Sequence, residues 1–200
     1  VEGQQVAQRL KGQRLPLIDR VEISIVEENQ PRWLSFLQRG SDLIEEVPPE
    51  YIEKFMPGGK VSAGLARQGI RGWRMVRSDT AYTYFNLDDP IVGGYEPAKV
   101  ALRRAISLGY DTEREIRLVR KGQAIPAQSA VLPHSYAYNR SFKSEMNQYS
   151  PARAKALLDM YGYVDRNGDG WREMPDGRPL LLKKATQTDG QSRALDEQWQ

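Results

Sequence analysis

Strand-like and helix-like patterns alternate along this chain of 200 residues, and that alternation limits the folds open to it. Val21, Ile23 and Ile25 recur at every second position, which predicts a half-buried strand. Residues 71–87 are rich in aromatic and β-branched residues, and we expect two strands there, at 73–77 and 81–87. Segments with helical spacing lie between and after these strands. The mixture predicts an α/β or α+β fold.

Three of the expected helices have clear start signals. Pro97 opens the first, because proline is favoured at the first helical position. Its apolar face is formed by Val100, Ala101, Ala105 and Leu108. Thr112 and Glu115 have the spacing of a capping box, which predicts that the second helix begins there. Ser150 and Pro151 are a preferred N-cap and first residue, so we expect a third helix after them.

Proline and glycine predict the remaining turns. Pro31 and Gly40 bracket a short apolar helix, and a final helix is expected from about Gln191. Asp176 and the glycine after it predict a hairpin turn between two short strands. Residues 123–149 are predicted to form a long ordered loop, and loops of that length are usually functional or wrap over a domain.

Composition excludes several classes of site. The chain has no cysteine, so disulfides, thiol nucleophiles and thiolate metal sites are ruled out. His134 is the single histidine, which gives little support to a zinc site or a Ser/His catalytic pair. Net charge is +3, and the basic stretch 67–77 is not continued by stacking aromatics. We therefore expect that stretch to be a solvated strand edge, with no nucleic acid partner.

Neither end resembles a natural terminus. The first twenty residues contain no apolar signal-peptide core and no initiator methionine, and the last residues fall within a helical pattern. No stretch of the chain approaches the roughly 18 to 20 apolar residues that span a bilayer. We expect the chain to be cut from a longer exported protein.

An acidic turn between the third helix and the hairpin allows two interpretations. Asp165, Asn167 and Asp169 are followed by Gly170, with Asp176 at the twelfth position, as in many calcium loops. That position normally carries a glutamate, whose longer side chain binds the ion through both oxygens. The flanking segments also predict a helix and a strand instead of two helices. We favour a hairpin connection without a metal, and we expect no cofactor.

The order of these motifs resembles bacterial extracellular solute-binding proteins of family 5, the peptide, oligopeptide and nickel receptors of ABC importers. Phe85 and Asn86 match the end of the family's aromatic strand. Residues 100–111 match its amphipathic helix, and residues 122–126 match its Gly-x-Ala-x-Pro turn. Residues 150–183 are similar to its helix and acidic hairpin.

The resemblance implies a receptor of two lobes that closes over its ligand. Residues 1–20 would be a hinge-side segment from a preceding lobe, and residues 21–200 an incomplete second lobe. The implied fold class is α/β, a periplasmic-binding-protein-like (type II) lobe with a mixed sheet flanked by helices, incomplete at both ends.

The implied function is that of the substrate-binding component of an ABC import system, which binds a solute, in most cases a peptide. The implied partners are that solute and a membrane permease, and we expect a monomer. The location would be periplasmic or extracellular, associated with the membrane through the importer. A hydrolase acting on peptides or glycans through carboxylates is the alternative from another class. A relative that has lost solute binding and serves as an adaptor is a second alternative.

The resemblance also places Tyr84, Arg120 and Gln191 at pocket-facing positions. Arg120 could pair with a ligand carboxylate, or it could be a solvated residue that interacts with a helix dipole. Tyr84 could offer a hydroxyl at the rim of the pocket, or it could simply pack within a sheet. No catalytic residue and no metal ligand is predicted.

Overall fold

A computed structural model describes residues 2–199, so the predicted boundaries at Val1 and Gln200 lie outside the described residues. The chain divides into two compact units, the first ending at Pro48 and the second beginning at Pro49. The first unit contains helices α1 (Glu2–Leu10) and α2 (Asn29–Leu37). Trp33 of α2 is buried, and the centre of its ring lies 5.9 Å from that of Phe36.

The second unit holds the remaining helices. These are α3 (Ile52–Phe55), α4 (Ala63–Arg67), α5 (Pro97–Gly109), α6 (Thr112–Leu118), α7 (Pro151–Met160) and α8 (Gly190–Asp196). Single 3-10 turns occupy Pro49–Tyr51, Pro57–Gly59, Glu145–Asn147 and Glu197–Trp199.

The predicted mixed sheet is wrong for this structure, and with it the α/β class. Within residues 2–199 the β-pairing consists of one isolated antiparallel bridge, Glu173 with Pro179. Residues 21–25, 73–77 and 81–87 form no β-ladder within residues 2–199, and Ile23, Trp73 and Tyr84 are 75–80% exposed. Alternation of apolar and polar side chains favours a strand, but a sheet also needs a neighbouring segment whose backbone groups pair with it. The described residues supply no such neighbour to these segments.

The core of the second unit forms where α5 packs on α7. Leu102, Tyr163 and Met174 are buried in one cluster, and Ala105, Leu108 and Ala154 in a second. The alanines carry little side-chain volume, which lets the two helices approach closely. The Tyr163 hydroxyl donates a hydrogen bond to the Ala98 carbonyl over 3.2 Å, so the ring's polar end is satisfied. The backbone N–H of Ser150 donates to the carbonyl of Leu108 over 2.8 Å and joins the end of α5 to the start of α7.

The helix starts agree with the sequence at Pro97 and Pro151, where α5 and α7 begin. The capping box predicted at Thr112 and Glu115 is wrong, because Asp111 is the N-cap of α6 and its side chain accepts from the Arg114 N–H over 2.8 Å. Glu115 is thereby released for other contacts.

The hairpin turn predicted at Asp176 and Gly177 is present, with Gly177 at a φ of 88° that favours glycine. The Met174 N–H donates to the Arg178 carbonyl over 2.7 Å across the turn. Arg172 links the hairpin to α7 through an ion pair of 2.5 Å with Asp159. The turn therefore lies beside the buried cluster, although only one bridge of a ladder forms.

Candidate functional site

The end of α6 positions Arg120. The N–H of Gly122 donates to the carbonyl of Ile116 over 2.8 Å, and Lys121 and Gly122 adopt left-handed backbone conformations with φ of 48° and 75°. This reversal is a common way to end a helix and satisfy its last carbonyls. The side chain of Arg120, two residues before that glycine, can therefore return toward the helix.

Glu115 receives that side chain. Arg120 Nε donates to Glu115 Oε1 over 2.5 Å, and the Tyr110 hydroxyl donates to Glu115 Oε2 over 2.5 Å. The side chains of Arg120 and Glu115 are only 21% and 12% exposed. The two terminal nitrogens of Arg120, Nη1 and Nη2, have no partner among residues 2–199. A guanidinium edge with two free donors matches the two oxygens of a carboxylate.

Two aromatic rings adjoin this ion pair through Tyr110. The ring of Tyr110 stacks on that of Trp199, with centres 4.5 Å apart and planes tilted by 30°. Lys184 Nζ lies 5.4 Å from the centre of the Trp199 ring, and the same ammonium is paired with Asp196. Burial, and after it the hydrogen bond to Glu115, raises the pKa of Tyr110 above its ordinary value. The phenol therefore stays protonated at neutral pH and serves as a donor.

The other two predicted site residues lie apart from this ion pair. Gln191 is exposed in the first turn of α8, where its backbone N–H donates to the Asp189 carboxylate over 3.0 Å. Tyr84 is 78% exposed, and its ring centre lies 6.3 Å from that of Tyr82. Within residues 2–199, no hydrogen bond or ring contact joins Tyr84 or Gln191 to Arg120.

Sequence reasoning missed Glu115, Tyr110 and Trp199 as partners of Arg120. Glu115 had a local explanation in the capping-box spacing, and no sequence pattern marked Tyr110 as its partner. Trp199 is far from both in sequence, and no periodicity indicated its contact.

Two grooves lie on the second unit. One has a volume of about 460 Å³ and is lined by Glu53, Glu113, Ile116, Arg117, Lys121, Gly122 and Pro126. The other has a volume of about 290 Å³ and is lined by Tyr95, Pro97, Val100, Ala101, Arg104, Leu157 and Tyr161. The lining of the first groove combines two acidic and two basic residues with apolar side chains. The lining of the second groove is mainly aromatic and aliphatic.

The acidic turn gathers a different set of carboxylates from the predicted one. Oxygens of Asp165, Asp169 and Glu173 lie within 4.8 Å of one another. Asp176 is instead paired with Arg178 Nη2 over 2.7 Å, and the hydrogen bond from that side chain lowers the pKa of Asp176. The amides of Gly168 and Gly170 donate to the two oxygens of Asp165 over 2.7 and 2.8 Å. Both oxygens of Asp165 therefore accept hydrogen bonds from the backbone of the turn itself.

No helix in the described part of the chain is both long enough and apolar enough to cross a membrane.

Comparison with known proteins places this sequence in a family. A family model described as "Bacterial extracellular solute-binding proteins, family 5 Middle" matches residues 8–200. The chain therefore belongs to this family, whose members are binding proteins found outside the cytoplasm. No match was found among curated protein sequences.

One solved structure is similar in part, the crystal structure of an oligopeptide ABC transporter, periplasmic oligopeptide-binding, from Thermotoga maritima. The identity is 28% and the TM-score 0.37, which does not establish a shared fold. The match covers 46% of this chain and 18% of that chain, so the present chain spans well under two thirds of the longer protein.

Proposed function

We propose that the full-length protein is the substrate-binding component of an ABC import system and that its solute is a peptide. The observation that carries this proposal is the family match, which extends over residues 8–200. Solute-binding components hold their ligand between two lobes and present the closed form to the permease. The described part of this chain would supply one wall of such a site.

A peptide fits the chemistry around Arg120. Every unmodified peptide ends in a carboxylate, and Arg120 presents two terminal nitrogens without a partner among residues 2–199. Tyr84 and Gln191 complete the proposed set of ligand-binding residues, since both are exposed and carry a hydroxyl or an amide for hydrogen bonding.

The remaining features of the proposal come from the family and from the composition of the chain. Residues 1–20 are proposed to be a hinge-side segment and residues 21–200 an incomplete second lobe. The protein is proposed to be a periplasmic or extracellular monomer that contacts a membrane permease and performs no catalysis. The cation-rich stretch 67–77 is proposed to face solvent and to bind no nucleic acid.

Calorimetry of the full-length protein against three classes of solute tests the function. Short alanine peptides, a nickel chelate and an oligosaccharide are titrated separately under the same conditions. Saturable heat with the peptides alone is the expected result. Binding of another class would replace the peptide while keeping the transport function, whereas no binding of any class would favour the adaptor.

Mass spectrometry tests the proposal that the protein performs no catalysis. A bound peptide is expected to remain intact after prolonged incubation with a stoichiometric amount of the protein. Cleavage products that accumulate with time would support the hydrolase instead.

A further inference from the structure

We propose that Glu115 and Tyr110 are positioning residues that hold Arg120 so that its terminal nitrogens bind a carboxylate of the solute. The inference rests on the proposed function and deepens it, because it names the group of the solute that the site selects. It also gives Glu115 and Tyr110 a role in binding without any contact between them and the ligand.

The two oxygens of Glu115 are divided between two donors. Each carboxylate oxygen accepts one short hydrogen bond, Oε1 from Arg120 Nε and Oε2 from the Tyr110 hydroxyl, both at 2.5 Å. Glu115 is only 12% exposed, so it depends on these partners to offset the loss of water. The same bond fixes the guanidinium at Nε and leaves the edge formed by Nη1 and Nη2 for a second carboxylate.

Tyr110 is itself held in place by a ring contact. Its ring stacks on Trp199 at 4.5 Å, so the hydroxyl meets Glu115 from a fixed direction. The arrangement is a chain of contacts from ring to phenol to carboxylate to guanidinium. An arginine side chain loses considerable freedom when it binds, and fixing it beforehand removes part of that cost.

The charges around Arg120 are locally balanced. Glu115 and Arg120 carry opposite charges that formally cancel, and the nearby ammonium of Lys184 is paired with Asp196. Recognition of a solute carboxylate here depends on directed hydrogen bonds more than on a positive field. The site should therefore distinguish a carboxylate from an amide of the same shape.

Matched peptides test this selectivity. The peptide that binds best among di-, tri- and pentaalanine is compared with its own C-terminal amide on the full-length protein. Hydrogen bonds to charged groups are strong enough that the acid should bind about 10- to 100-fold more tightly. A third probe, Ala-Glu-Ala amide, carries only a side-chain carboxylate, and its affinity shows whether the site takes the peptide's C-terminus or an acidic side chain.

Variants then separate positioning from folding. Arg120→Lys should abolish most of the preference for the acid. Tyr110→Phe keeps the ring that stacks on Trp199, and Glu115→Asp keeps the charge but shortens its reach. Each of these two should lower the preference roughly three- to tenfold while affinity for the amide stays within about twofold. Glu113→Asp, the same change at an exposed position of α6, is the matched control.

The outcomes distinguish this inference from the function on which it rests. Equal affinity for acid and amide in the unmodified protein would overturn the inference but leave peptide binding intact. Equal losses in Glu115→Asp and Glu113→Asp, or equal weakening of acid and amide, would also overturn it. Failure of every alanine peptide and of the Ala-Glu-Ala amide to bind would overturn the peptide function as well.

Discussion

At the scale of single residues, hydrogen bonds to nearby backbone amides decide where several carboxylates of this protein point. Asp189 is the N-cap of α8, and its carboxylate accepts from the N–H groups of Gln191 and Ser192 over 3.0 Å each. The Ser192 hydroxyl donates to it over 2.6 Å. The hydrogen bond from the Ser192 side chain, followed by the one from its backbone, lowers the pKa of Asp189.

Asp189→Asn tests the charge of this cap, because asparagine is also a good N-cap but is neutral. The pKa of Asp189 is lower in the folded than in the unfolded state, so its contribution is present above the unfolded value, about 3.9, and is lost as pH falls through the folded value. The variant should melt at a lower temperature than the parent at pH 7.

That difference should shrink as the solution is acidified below about pH 4. Thermal unfolding followed by circular dichroism across this range makes the measurement. Asp79→Asn, at an exposed position, is the control. A difference in melting temperature that does not change with pH would contradict the assignment.

At the scale of elements, the packing of α5 on α7 holds the second unit together, and it depends on small side chains. Ala154 is 7% exposed within the contact, whereas Ala156 lies on the exposed side of the same helix. A larger side chain at Ala154 would have to displace Ala105 or Leu108, and packed interiors adjust little.

The matched pair Ala154→Leu and Ala156→Leu tests that packing. Overfilling a buried position typically costs about 1–3 kcal/mol, so Ala154→Leu should lower the free energy of unfolding by that amount. Ala156→Leu should change it by no more than about 0.5 kcal/mol. Urea denaturation gives both values. Equal effects would mean that α5 and α7 are not in close contact at Ala154.

Carboxylates of the acidic turn already accept hydrogen bonds from neighbouring residues of the chain. Calcium takes roughly six to eight oxygen ligands, and the turn gathers three acids while Asp176 is paired with Arg178. We therefore expect no saturable heat when calcium is titrated into the full-length protein at up to about millimolar concentration. Asp165→Ala should show the same absence of heat. Saturable heat that Asp165→Ala removes would establish a calcium site instead.

At the scale of the whole molecule, local signals were predictable and distant contacts were not. The starts of α5 and α7 followed from Pro97 and Pro151, because proline acts within its own turn of helix. The sheet did not follow from alternation, because pairing depends on segments far away in sequence. Resemblance to the family proposed Arg120 as a ligand-binding residue. Its connection to Trp199 runs through Glu115 and Tyr110, and no local sequence pattern links these residues.

Hydrogen exchange tests whether the segment at 72–76 lacks the backbone pairing that the predicted sheet requires. The N–H groups of residues 72–76 donate no hydrogen bond within the described part of the chain. In this chain they should exchange at close to the intrinsic rate, whereas the amides of α5 around Leu102 should exchange slowly because they are bonded within the helix and lie in the core. Mass spectrometry of peptic fragments compares the two regions directly. Protection at 72–76 equal to that of α5 would show that these residues pair as strands, as the aromatic and β-branched residues of 71–87 suggested.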